Sequence, residues 1–129
     1  MRGLLLTLLI LFAACAMPPS TMSDHAKLVH DVYFTLEHAS ADACQELVDE
    51  CYARLAGIDG IVYFAAGIRD PELQRDVNDR GYDVSLHVFF RDRAAHDAYQ
   101  TAPAHQEFIA KNRENWRQVR VFDSAIGDR

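Results

Sequence analysis

The chain has 129 residues, of which 50% are hydrophobic and 25% charged, and its net charge is −6. That length supports one small globular domain rather than two. Acidic and basic residues are interspersed and no Lys/Arg stripe appears, which argues against nucleic acid as a partner.

The chain opens MRGLLLTLLILFAACAMPPS. Arg2 gives a positive start, Leu4 to Ala14 is almost wholly apolar, and small residues and Pro18-Pro19 follow. An apolar run of about a dozen residues is too short to cross a bilayer as a helix. It fits the apolar region of a secretory signal. Phe12-Ala13-Ala14-Cys15 resembles a bacterial lipobox, so residues 1–15 are read as a lipoprotein-type signal peptide with Cys15 as the lipidation site. Cleavage after Ala16 is the alternative and would release a soluble exported protein. Either route predicts an exported protein of the cell envelope: lipid-anchored on the periplasmic side, periplasmic, or secreted. Membrane contact is expected only through a lipid anchor. Residues 16–26 (AMPPSTMSDHA) are rich in Pro and Ser and read as a flexible tether.

The folded domain is expected over residues 27–123, with 124–129 as a tail. Lys27 to Leu36 (KLVHDVYFTL) alternates and is rich in β-branched and aromatic residues, which predicts a strand. One face carries Leu28, His30, Val32, Phe34 and Leu36. Ser40 can cap a following helix, along which Cys44, Leu47, Val48, Cys51, Tyr52 and Leu55 recur at helical spacing. Gly57 is expected to end it. Gly60 to Ile68 (GIVYFAAGI) reads as a second strand. Arg69 to Gly81, punctuated by Pro71 and Gly81, reads as a solvated loop placed to act as a lid. Tyr82 to Phe90 (YDVSLHVFF) is a third strand, with Val84, Leu86, Val88 and Phe90 on one face and Ser85, His87 and Phe89 on the other. Arg91 to Gln100 is helical, Pro103 interrupts, and helix resumes to about Asn115. Trp116 to Phe122 is a final strand.

This βαββαβ order is the plan of a ferredoxin-like α+β fold with both helices on one face of a four-stranded sheet. The other face also looks apolar, through Val29, Tyr33, Phe89, Val62 and Phe64. A lone sheet should not leave such a face in water. A second copy packed face to face would close an α+β barrel, so a homodimer is expected, with His87 at its interface. Cys44 and Cys51 lie two helical turns apart, about 10 Å, beyond the roughly 7 Å that a disulfide tolerates. They read as small buried apolar residues. His25 and His38 read as solvated and Trp116 as core.

The strand opening with His30, Gly67 closing the second strand, Gly81-Tyr82 opening the third and, above all, YQTAPAHQEF at Tyr99–Phe108 carry a resemblance. Together they resemble the stress-responsive A/B barrel (Dabb) family, over about Lys27 to Asp123. The resemblance implies a dimeric α+β barrel without a cofactor. A plant member of the family performs a cofactor-free aldol condensation on a linear polyketide with a Tyr and a His as acid/base pair. Those two match Tyr99 and His105, and a further histidine matches His30. Where that enzyme has histidines this chain has Ala102 and Val84; where it has an apolar residue this chain has His96.

Six residues of straight helix turn the chain by roughly 600°, so Tyr99 and His105 would diverge on one helix. Pro103 removes a hydrogen bond and disfavours helix at Ala102, so the second segment can be redirected. Tyr99, His105 and His30 are thus the candidate catalytic residues if the protein is an enzyme. A tyrosine hydroxyl donates to a carbonyl oxygen while a neutral imidazole takes a proton. Val32, Phe34, Val48, Val84, Leu86, His96 and Phe108 are the candidate pocket residues around them, suited to a small hydrophobic ligand. His30, His96 and His105 are metal-ligating types, but no i, i+4 His pair supports a site and none is expected. Three readings stand: a binding module, a cofactor-free cyclase or isomerase, and a purely structural dimer.

Overall fold

The computed structural model describes residues 26–127. The signal segment, Cys15, His25 and the tether up to residue 25 lie outside the described residues. Four strands, β1 (Leu28–Leu36), β2 (Ile61–Ile68), β3 (Val84–Phe90) and β4 (Trp116–Ala125), form one sheet in the order β2-β3-β1-β4. Every neighbouring pair is antiparallel. Three helices, α1 (Ala41–Arg54), α2 (Arg93–Thr101) and α3 (Pro103–Asn112), complete the ferredoxin-like α+β fold that the sequence predicts. Among the described residues no helix is long and apolar enough to cross a membrane.

The alternation of β1 does what its composition dictates. Leu28, His30, Val32, Phe34 and Leu36 are all buried, and the core gathers them with Val84, Leu86, Val88 and Phe90 of β3. Helix α1 is capped by Ser40, whose hydroxyl accepts from the Ala43 amide at 3.1 Å. It buries Cys44, Leu47, Val48 and Cys51 against the sheet. Both cysteines are free thiols. Burial pushes the Cys51 thiol up to about 12, which fits a small core residue rather than a reactive one.

Four expectations need correction. Helix α1 ends at Arg54 with Leu55 still right-handed, so Gly57 is not its cap. The left-handed glycine is Gly60, at φ +88°, where β2 begins. Phe64 is not on the open face. A register shift between Ile61 and Tyr63 turns Phe64 opposite Val88, so Phe64 packs on the core and Tyr63 faces outward beside Phe89. The 69–81 loop is not a lid on the helix side. Asn78 and Asp79 lie beside Tyr33, Arg120 and Phe122, on the opposite side of the sheet. Lastly, β4 runs to Ala125 and so takes in Ser124 and Ala125, which the sequence reading left in the tail.

Candidate functional site

Helix α2 starts where the Asp92 carboxylate accepts the Ala95 amide at 2.7 Å. Its inner face carries Ala95, His96 and Tyr99, all buried. It stops at Ala102, whose ψ of 135° is extended, because Pro103 leaves the residue before it no comfortable helical conformation. Pro103 then opens α3 at a position where a missing N–H costs nothing. His105 therefore falls on a redirected segment. Its ring stands 4.4 Å from that of Tyr99, centroid to centroid, tilted by 38°. The His30 ring comes up from β1 to 5.9 Å from Tyr99.

These three side chains line one cleft of about 180 Å³ between the helices and the sheet. Val32, Phe34, Leu86 and Phe108 line it too. Val48 and Val84 do not; they are core residues, and His96 stands outside the cleft as well. Phe108 of α3 packs on Trp116 at the start of β4. Val119 and Val121 of β4 are 39% and 49% exposed at the open side of the cleft.

The polar groups of the cleft have defined states. The Tyr99 hydroxyl is buried and has no hydrogen-bond partner among the described residues, and the same holds for Trp116 Nε1. Burial, with a smaller contribution from Cys51, holds the Tyr99 phenol above its usual range, so it remains a donor. His105 Nδ1 donates to the Gln100 carbonyl at 3.2 Å. That leaves the lone pair on Nε2. Burial lowers the proton affinity of His105, only partly opposed by the Gln100 contact. A neutral imidazole and a protonated phenol thus stand side by side.

A second cluster adjoins the cleft. Register sets Asp123 of β4 directly across from His30 of β1. His30 Nδ1 donates to Asp123 Oδ1 at 2.6 Å. From α2, His96 approaches the same carboxylate, with Nε2 at 3.8 Å from Asp123 Oδ1. Metal-ligating atoms of His30, His96 and Asp123 all lie within 4.8 Å of one another. Sequence reasoning weighed His30, His96 and His105 as metal-ligating types and expected no site. His105 is instead held at the cleft, and Asp123 is the residue that was missed. Ending the last strand at Phe122 hid the signal: carrying the alternation one residue on puts Asp123 on the helix side.

A larger hollow, about 390 Å³, lies on the other side of the sheet, lined by Asp31, Tyr33, Asp79, Arg120 and Phe122 among others. Arg120 holds Asp79 there at 2.8 Å, and His87 holds Asp31 at 2.6 Å. This hollow is the wider of the two, but one of its walls is the loop before β3, with Val77 85% exposed. The smaller cleft has the mostly apolar lining with a few convergent polar groups that small-molecule sites show.

The stress responsive A/B barrel domain model matches residues 28–126. No curated protein matches the chain. Among solved structures, a Dabb family protein from Mesorhizobium loti is similar at 24% identity and TM-score 0.63, over 77% of this chain and 95% of that one. A dimeric ferredoxin-like protein of unknown function from Thermobifida fusca has 19% identity and TM-score 0.65, over 78% of this chain and 91% of that one. The hydroxynitrile lyase of Passiflora edulis has 17% identity and TM-score 0.64, over 81% and 97%. At these identities the likeness is one of fold.

Proposed function

The chain belongs to the stress responsive A/B barrel domain family, and on that premise we propose that it is an exported, homodimeric protein that binds a small hydrophobic molecule bearing a hydrogen-bond acceptor. The buried hydroxyl of Tyr99, unpartnered among the described residues, carries this reading: Tyr99 lines a largely apolar cleft together with His30, Gln100 and His105. Leaving such a donor unsatisfied costs about 1–3 kcal/mol, which a ligand carbonyl would recover. The apolar side chains of Val119 and Val121, exposed at the mouth, would be covered by the rest of the ligand. The dimer is supported by the aromatic open face of the sheet and by the dimeric relative from Thermobifida fusca. Export, with a lipid anchor at Cys15, rests on the leader pattern.

Native mass spectrometry of the protein purified without denaturant tests this. A small molecule retained by the wild type, and lost or held about tenfold more weakly by Tyr99→Phe, is the expected result. An empty protein that also fails to take up any hydrophobic carbonyl compound would end the binding reading.

A second reading is cofactor-free acid/base catalysis of the cyclase or isomerase type. It is favoured by the neutral His105 imidazole beside the protonated Tyr99 phenol. The Passiflora edulis relative is a lyase on this same fold. Under this reading Tyr99→Phe and His105→Ala each abolish turnover while binding falls only modestly.

A further inference from the structure

The cluster beside the cleft has a feature that the cleft does not need. We propose that His30, His96 and Asp123 form a binding site for one divalent transition-metal ion of the zinc class. Two imidazole nitrogens and one carboxylate oxygen are the donor set that such an ion takes when three protein ligands leave a position open.

The ligands come from three separate elements and are placed by independent causes. His30 and Asp123 are directly opposed across the β1–β4 ladder, where side chains on one face stand about 5 Å apart. His96 is on the buried face of α2, fixed by the Asp92 cap one turn earlier. His30 and His96 are 6% and 8% exposed, so both rings are held in place by packing, and their centroids are 5.5 Å apart. Asp123 is the half-exposed member and gives an ion its way in.

The tautomer of His96 is the second observation. Its Nδ1 donates to the Asp97 carboxylate at 3.0 Å. Its Nε2 accepts from the Gln100 amide at 3.2 Å. The lone pair therefore sits on Nε2, the nitrogen that faces Asp123. A histidine whose other ring nitrogen is tied to a carboxylate is the arrangement that orients metal-binding imidazoles and raises their basicity. On the other ligand, the hydrogen shared by His30 Nδ1 and Asp123 occupies the place that an ion would take. The Gln100 amide, at the surface of the cleft, turns aside when Nε2 is ligated. The open position then falls beside the cleft, since His30 and Gln100 both line it.

The His87–Asp31 pair on the opposite face has the same 2.6 Å contact but, among the described residues, no third ligand beside it. It serves as the internal control. Purified full-length protein, stripped with chelator, is titrated with zinc by calorimetry and with cobalt by visible absorption. The expected result is one ion per chain and a cobalt spectrum of low coordination number. Asp123→Asn and His96→Ala are expected to weaken zinc binding at least tenfold, and His87→Gln to leave it unchanged. Asp123 is exposed enough that its variant keeps the fold, which near-ultraviolet circular dichroism verifies; it therefore reports on the site even where His96→Ala unfolds. Absence of stoichiometric binding by the wild type overturns the proposal. So does an affinity that Asp123→Asn leaves intact, or one that falls equally in His87→Gln.

Discussion

Single residues fix where the cleft forms and what its groups can do. Gly60 is one of them. At φ +88°, a Cβ added there would lie 2.4 Å from the Ala95 Cβ, in the first turn of α2. The absent side chain lets the start of β2 close on the helix that carries His96 and Tyr99. Gly60→Ala is therefore expected to destabilise the fold by about 1–3 kcal/mol through backbone strain and overlap, read from urea unfolding. An unchanged midpoint would show that the helix is not held by this contact. His105 makes a second prediction at this scale. Its proton affinity is lowered in the fold, chiefly by burial. The unfolded chain thus binds a proton at His105 more readily than the folded one. Stability should fall as pH drops through the ordinary histidine value of about 6.5 and level off below the folded value. His105→Gln should remove that part of the slope, as measured by thermal melts across this range.

At the scale of elements, what was legible in the sequence followed periodicity, and what was not depended on partners. The alternation of β1 and β3 exposes their faces directly, and Pro103 announces the α2–α3 break that sets His105 beside Tyr99. The second strand is apolar at nearly every position, so its own pattern cannot say which side faces the core; the register shift before Tyr63 settles that, and only the pairing reveals it. The side of the sheet on which the 69–81 loop lies is likewise a tertiary fact. Asp123 was hidden because its meaning comes from the residue opposite it rather than from any neighbour in sequence. Contacts between elements behave the same way. Glu50 of α1 accepts from Lys111 of α3 at 2.6 Å and from Arg54 at 2.7 Å. The Lys111 contact, then Arg54, hold its carboxyl below the ordinary value of 4.5. A depressed carboxylate contributes stability above its unfolded value and loses it as pH falls through the folded one. The α1–α3 tie should accordingly weaken only below about pH 4.5, modestly because Lys111 is half in water. In Lys111→Met the acid limb of the stability profile should flatten; an unaltered limb would assign it to other carboxylates.

At the scale of the molecule, the sheet has one face under helices and one without. The bare face carries Tyr33, Tyr63, Phe89 and Phe122, with Tyr33 packed on Tyr82 and Phe122 and Tyr63 on Phe89. Phe122 remains 51% exposed and Tyr63 36%. Single exposed aromatics are ordinary, but aromatics from all four strands on one bare sheet face mark an interaction surface. The same face holds the hollow of Asp31, Asp79 and Arg120, where Arg120 pairs with Asp79 and His87 hydrogen-bonds Asp31. A face with apolar ridges and polar groups tied to one another suits a second copy of itself, because each partner presents what the other buries. Phe122 is the residue to test. It is too exposed to matter for the core of one subunit, yet it lies beside Tyr33, on the edge strand β4. Phe122→Glu would bury a carboxylate in an apolar interface, a change whose cost falls on association. Sedimentation should give twice the chain mass for the wild type and the single-chain mass for the variant, with equal circular dichroism. A variant that stays dimeric would move the interface off this face, and the cleft on the far side of the sheet would then have to be explained without a barrel around it.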